Sequence, residues 1–121
     1  MDLNRILLIG HVAKDPEQRT VNKTTVTNFH LATNRIWKNP SKETKEKAEF
    51  HSIVGWGKLS EIMKQYVHKG DKVLVEGRVV YRNAEDKDGK MHYFTDIIAE
   101  RLMLLSSKPT ETVQEITEEP F

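Results

Sequence analysis

Residues 5–12 (RILLIGHV) form a β-branched and leucine run broken at Gly10, which predicts a buried strand with a bulge or a close backbone approach at the glycine. Asp15-Pro16 interrupts that pattern. Residues 24–37 (TTVTNFHLATNRIW) have the threonine, valine and aromatic content of a long second strand. Residues 38–47 (KNPSKETKEK) are polar and rich in lysine and read as a mobile basic loop rather than an element. Residues 50–56 (FHSIVGW) predict a third strand ended by Gly57.

The period then changes. Leu59, Ile62, Met63, Tyr66 and Val67 follow i, i+3, i+4, i+7, i+8 spacing within residues 58–69, which puts all five on one face of a helix. Gly70 suits the left-handed position just past its end, and Lys64, His68 and Lys69 lie where the helix dipole favours cations. Residues 71–81 (DKVLVEGRVVY) alternate apolar and polar positions, a half-buried fourth strand with a kink expected at Gly77. Residues 86–90 (DKDGK) make a hairpin tip with Gly89 where a positive φ is needed, and residues 92–105 (HYFTDIIAERLMLL) make the fifth strand. Three strands, a helix and two strands is the element order of the OB-fold, a five-stranded Greek-key barrel with its helix between strands three and four. The expected organisation is an all-β OB-fold domain with one helix over residues 1–105, then a short acidic tail over residues 106–121. The tail's Pro, Thr, Glu and Ser predict disorder.

With 121 residues the chain fits one domain. It has no cysteine, which excludes disulfides and thiolate zinc sites. No stretch approaches the roughly 18 apolar residues of a membrane span, and residues 1–10 show no basic leader, so the expectation is a soluble, unexported, cytoplasmic protein with no membrane partner. Charge divides unevenly. The tail sets Lys108 against Glu111, Glu115, Glu118 and Glu119, a net −3, which leaves +4 on the rest of a chain whose total is +1. A mildly basic body and an acidic tail suit different partners, a polyanion for the body, although +4 is also ordinary solubility charge.

Catalysis needs a nucleophile with a nearby base, clustered carboxylates, or a glycine loop for phosphate, and none of these patterns occurs. The expectation is therefore a non-enzyme without metal or cofactor. His11, His30, His51, His68 and His92 are scattered without ligand spacing, and turn chemistry already explains Asp86 and Asp88.

Aromatic rings and cations are interleaved where the second and third strands meet the basic loop. Trp37 closes one strand, Phe50 opens the next, and Trp56 lies between Gly55 and Gly57. Unpaired nucleobases expose π-faces, and stacking on a side-chain ring is worth about 1–3 kcal/mol per base without demanding a sequence. Arg5, Arg19, Arg35, Lys38, Lys58, Lys69, Arg78 and Arg82 are the cations placed to follow phosphates. The ordinary role of a ring in a small domain is core packing. Flanking glycines and lysines favour the surface for Trp37 and Trp56, Phe50 is intermediate, and Phe29, Leu31 and Tyr66 are assigned to the core. Glu118-Glu119-Pro120-Phe121 joins an aromatic ring and a carboxylate on one residue, a shape suited to a basic-rimmed apolar socket on a partner protein, although composition alone equally fits a solvated tail end.

Residues 4–10 (NRILLIG), 14–19 (KDPEQR), 29–37 (FHLATNRIW), Phe50-His51, 57–61 (GKLSE), 66–70 (YVHKG), 75–78 (VEGR) and the terminal Pro-Phe, in this order and spacing, resemble the bacterial single-stranded DNA-binding (SSB) proteins across nearly the whole chain. The resemblance implies a homotetramer of OB-folds that coats single-stranded DNA with little sequence preference. It also implies that the tip, Glu118, Glu119, Pro120 and Phe121, recruits replication, recombination and repair enzymes. The family's stacking positions match Trp37, Phe50 and Trp56, its phosphate contacts map onto Arg5, Arg19, Lys58, Lys69 and Arg82, and its subunit interface includes the position of His51.

Three departures stand out. A further stacking tryptophan of the family is Ala84 here, a loss for which Tyr81 or Phe94 is a candidate substitute. Ser52 replaces a common cation. The tail is short and uses glutamate where the family has a long linker and an aspartate-rich end.

Overall fold

The computed structural model describes residues 1–105 and, beyond them, the backbone of residues 114–117. Its elements are β1 (Ile6–Val12), β2 (Glu17–Val21), β3 (Thr24–Lys38), β4 (Thr44–Trp56), α1 (Gly57–Tyr66), β5 (Lys72–Glu85), β6 (Met91–Leu104) and β7 (Gln114–Thr117). Five of the strands pair in a ring. β1 runs antiparallel to β5, with Leu8 opposite Val75, and β5 antiparallel to β6, with Val79 opposite Ile97. β6 meets β4 in parallel from Ser52↔Asp96 to Val54↔Ile98, and β4 pairs with β3 at Phe29↔Ile53. β3 returns to β1 through His11↔Ala32 and Val12↔Leu31. With α1 between β4 and β5, this is the OB-fold. The outer positions are β2, which pairs with β3, and β7, which pairs with β6.

Alternation along each strand sends Phe29, Leu31, Ile53, Val73, Val75 and Ile97 into the ring, where they are buried with Leu59 and Met63 of α1. The helix lies hard against the sheet at Gly55, where a Cβ would stand 2.2 Å from Met63 Sδ. Beside that contact, buried Thr27 Oγ1 donates to the Ser60 carbonyl at 2.8 Å and lies 2.6 Å from Ser60 Oγ, so the polar seam between α1 and β3 is satisfied. The expected kink at Gly77 is a register shift between Glu76 and Gly77. There the β5 backbone passes so close to β6 that a Cβ would lie 2.0 Å from the Ile98 carbonyl oxygen. Gly10 makes the close approach expected of it, since a Cβ there would lie 2.3 Å from the Ala32 carbonyl oxygen.

Several expectations are corrected. β2 was not foreseen, because EQRTV lacks an apolar face; a two-residue turn at Asn22 and Lys23, φ 48° and 66°, folds it onto β3. The basic loop expected over residues 38–47 shrinks to a short turn. β3 reaches Lys38 and β4 starts at Thr44, while Asn39 accepts from the Glu43 N–H at 2.9 Å. Cross-strand pairing extends the hairpin although its end is exposed on both faces.

The helix ends at Tyr66, earlier than expected, with Val67 already extended. Gly70 does have a positive φ, 91°, but it serves the turn before β5, where the Gly70 N–H donates to the Val12 carbonyl. Tyr66, assigned to the core, is exposed on the last helical turn. In the tail, Gln114–Thr117 pairs antiparallel with β6, and the other residues of 106–121, the tip among them, lie outside the described residues.

Candidate nucleic-acid interface

Register partners share a face of the sheet, so the pairings sort the candidate residues. The buried partners Phe29, Ile53 and Ile97 mark the inner face. The outer face therefore carries the row His30, Ser52, Asp96 and Val80, and beside it the row Asn28, Val54, Ile98 and Arg78. Trp56 lies two residues beyond Val54, opposite Val26, which in turn faces Arg19 on β2. In the other direction, two residues before Ser52 comes Phe50, and two before Asp96 comes Phe94, opposite Arg82. Phe50, Trp56, Arg19, Arg78 and Arg82 thus share one face.

Trp37 has the other parity. It stands opposite Lys45, two residues from Arg35, which faces Lys47. The Arg35 guanidinium lies 5.4 Å from the Trp37 ring centroid, a cation–π contact at the free end of the β3–β4 hairpin. Trp37 and Trp56 are 39 % and 38 % exposed, and Phe50 is more open still. Rings so placed have area available for a ligand.

The other candidate cations lie on several elements. Arg5 sits at the start of β1 in an ion pair with Glu76, Lys38 ends β3, and Lys58 opens α1, each exposed. Lys69 is exposed in the turn before β5, where its backbone N–H donates to Asp15. Arg82 donates from Nε to the Asp96 carboxylate and lies over the Phe94 ring, 4.1 Å from the centroid. His51, on the inner parity, bonds through Nε2 to Thr33 Oγ1 at 2.8 Å within its own chain.

At the β5–β6 tip, Asp86 accepts from the backbone N–H groups of Asp88 and Lys90 and from His92 Nε2 at 2.7 Å. The His92 bond first, with the Lys90 N–H after it, holds the Asp86 carboxyl below its ordinary 3.8. Gly89 takes φ 79°, as the turn requires. Tyr81 and Tyr93 have the parity of Val79 and Ile97, the face opposite Phe94, so of the two candidate substitutes for a ring at Ala84 only Phe94 shares the face of Phe50 and Trp56. Sequence reasoning missed Lys45 and Lys47 as neighbours of Trp37. Period-two extrapolation through the supposed loop would have found them. Among the described residues no three His, Cys, Asp or Glu side chains converge to hold a metal, and no helix is long and apolar enough to cross a membrane.

This arrangement, rings and arginines on one side of a strand ring, can be set against known proteins. The model of the single-strand binding protein family matches residues 3–105. The chain belongs to that family. It is a family of non-enzymatic DNA-binding proteins, and the names of its curated members agree with that. Single-stranded DNA-binding protein 1 of Chlorobaculum tepidum is 43 % identical over 108 residues, covering 88 % of this chain and 67 % of the relative. The Neisseria meningitidis protein is 38 % identical over 109 residues, 89 % of this chain and 63 % of the relative. The Thermotoga maritima protein is 36 % identical over 117 residues, 96 % and 83 %. The chain thus spans roughly two thirds of the first two relatives' length. A solved Plasmodium falciparum SSB complex with ssDNA superposes with a TM-score of 0.79 at 31 % identity, covering 88 % of this chain and 97 % of that one.

Proposed function

We propose that this chain binds single-stranded DNA without sequence preference and without chemical turnover. The observation that carries the reading is the outer face on which Phe50 and Trp56 lie among Arg19, Arg78 and Arg82. Bases stack on those rings and on Trp37 at the hairpin end, while phosphates pair with the arginines and with Arg5, Arg35, Lys38, Lys58 and Lys69. Family membership and the likeness to an SSB solved with ssDNA support the choice of ligand.

In the wider reading the chain protects DNA during replication, recombination and repair and works as a homotetramer in the nucleoid. His51 then lies at the subunit interface, and Glu118, Glu119, Pro120 and Phe121 recruit partner enzymes. The resemblance and the composition of the tip support these roles.

The test is a titration of tryptophan fluorescence with oligo(dT) at low and high salt, since Trp37 and Trp56 are the only tryptophans. Quenching that saturates at a fixed nucleotide ratio is expected, with log K falling against log salt by about 0.7 per phosphate neutralised. Absence of both quenching and binding would overturn the reading.

A further inference from the structure

We infer that Phe94, backed by Arg82, is a further base-stacking position, so that the β5–β6 hairpin adds a ring to the face that carries Phe50 and Trp56. This rests on the single-stranded DNA binding proposed above and names a residue for it. Three observations carry it. The register puts Phe94 on the outer face of β6, two residues before Asp96, just as Phe50 is two residues before Ser52, the β4 partner of Asp96. Extending that register two residues beyond its last rung sets the two rings in corresponding places on their strands. Phe94 is also 39 % exposed, the same as Trp37 and within a point of Trp56, although a phenylalanine on a strand gains more by burial.

Third, the ring is held. Arg82 covers it at 4.1 Å from the centroid and is itself fixed by Asp96, whose side chain is 7 % exposed against 55 % for Arg82. A guanidinium anchored at Nε to a buried carboxylate keeps its other N–H donors for a phosphate, while the ring beneath offers its remaining surface to a base. His92 adds a second ring, 6.5 Å from Phe94 between centroids, and is fixed in turn by Asp86. Its cross-strand partner is Ala84, whose methyl group does not cover these rings. Ring and cation thus coincide in this hairpin, and Phe94 stands outside the core cluster.

The experiment compares the full chain with Phe94→Ala and Phe94→Tyr in oligo(dT) binding across a salt titration. A further variant, Trp37→Phe/Trp56→Phe/Phe94→Trp, makes position 94 the sole tryptophan reporter. Phe94→Ala should weaken binding about 5-fold or more, the effect of one lost stack, with Phe94→Tyr close to the parent and both melting with it. The reporter variant should be quenched by oligo(dT). Parental affinity in a folded Phe94→Ala at every salt concentration, or an unquenched reporter in a variant that still binds, would overturn the assignment. Should Phe94→Ala fail to fold, the reporter decides alone. A parent chain that does not bind oligo(dT) would instead remove the binding reading itself, and the two failures are thereby distinct.

Discussion

The two long hairpins, β3–β4 and β5–β6, are alike at their bases and different at their ends. At the base the inner face is buried: Phe29 and Leu31 on β3, Ile53 opposite Phe29 on β4, and Ile97 beside Ile53 on β6. Towards the tips both faces are exposed, from Asn34 to Lys38 on β3 and from Tyr81 to Glu85 on β5. There the hairpins diverge. One ends in Trp37 among Arg35, Lys45 and Lys47; the other has Ala84 opposite His92, with Phe94 on the outer face nearer the base and the exposed Tyr81 and Tyr93 on the opposite face. The same strand pairing thus carries the core at one end and, in the proposed reading, ligand contact at the other, and the side chains divide accordingly.

The largest effect should come from the base. Leu31→Ala removes a fully buried side chain and should cost about 2–5 kcal/mol in urea unfolding, while the folded fraction still binds oligo(dT). Equal stability for Leu31→Ala and parent would erase the distinction between base and tip. The converse belongs to the free end: Trp37→Ala should weaken oligo(dT) binding by about 1–3 kcal/mol and move unfolding by no more than about 0.5 kcal/mol, as for an exposed position. A Trp37→Ala variant that unfolds early would place the ring with the core.

The smallest effect concerns the β5–β6 tip. The Asp86 carboxyl is held below its ordinary 3.8, so the stabilisation it lends is fully present above that value and is lost as pH falls through the lowered one. Amide exchange at Asp88 and Lys90 should therefore speed up relative to the rest of β5 and β6 in acid, and Asp86→Asn should show the faster exchange already at pH 7. Protection in Asp86→Asn equal to that of the parent would remove Asp86 from the account of the turn.

Legibility in the sequence follows the same division. Where one face is buried, period two is written in the residues, and the five ring strands, the helix and the core positions Phe29 and Leu31 were readable. Where both faces are wet, the code has nothing to record. That is why the β3–β4 hairpin beyond Trp37 read as a loop and β2 as no element, though hydrogen bonding to β3 suffices to form both. Tyr66 misled for a related reason: its spacing is helical, but the helix ends on it and its side chain is exposed. The candidate rings were legible one by one from glycine and lysine neighbours. Their faces were not, because a face depends on register, and the parallel contact that aligns Phe50 with Phe94 joins strands separated by the helix and β5.

That parallel contact also has a consequence for the order of folding. β4 is complete at Trp56, yet the three rungs that seal its free edge belong to residues 96–98, the far arm of the last hairpin of the ring. A chain emerging from the ribosome carries an unsealed β4 edge until β6 has been made, which exposes it to pairing with a neighbouring nascent chain. Closure of the ring is a long-range event, so refolding should be slow for a domain of this size, and its rate should respond more to substitutions at Ile53 and Ile97 than to any at the hairpin tips.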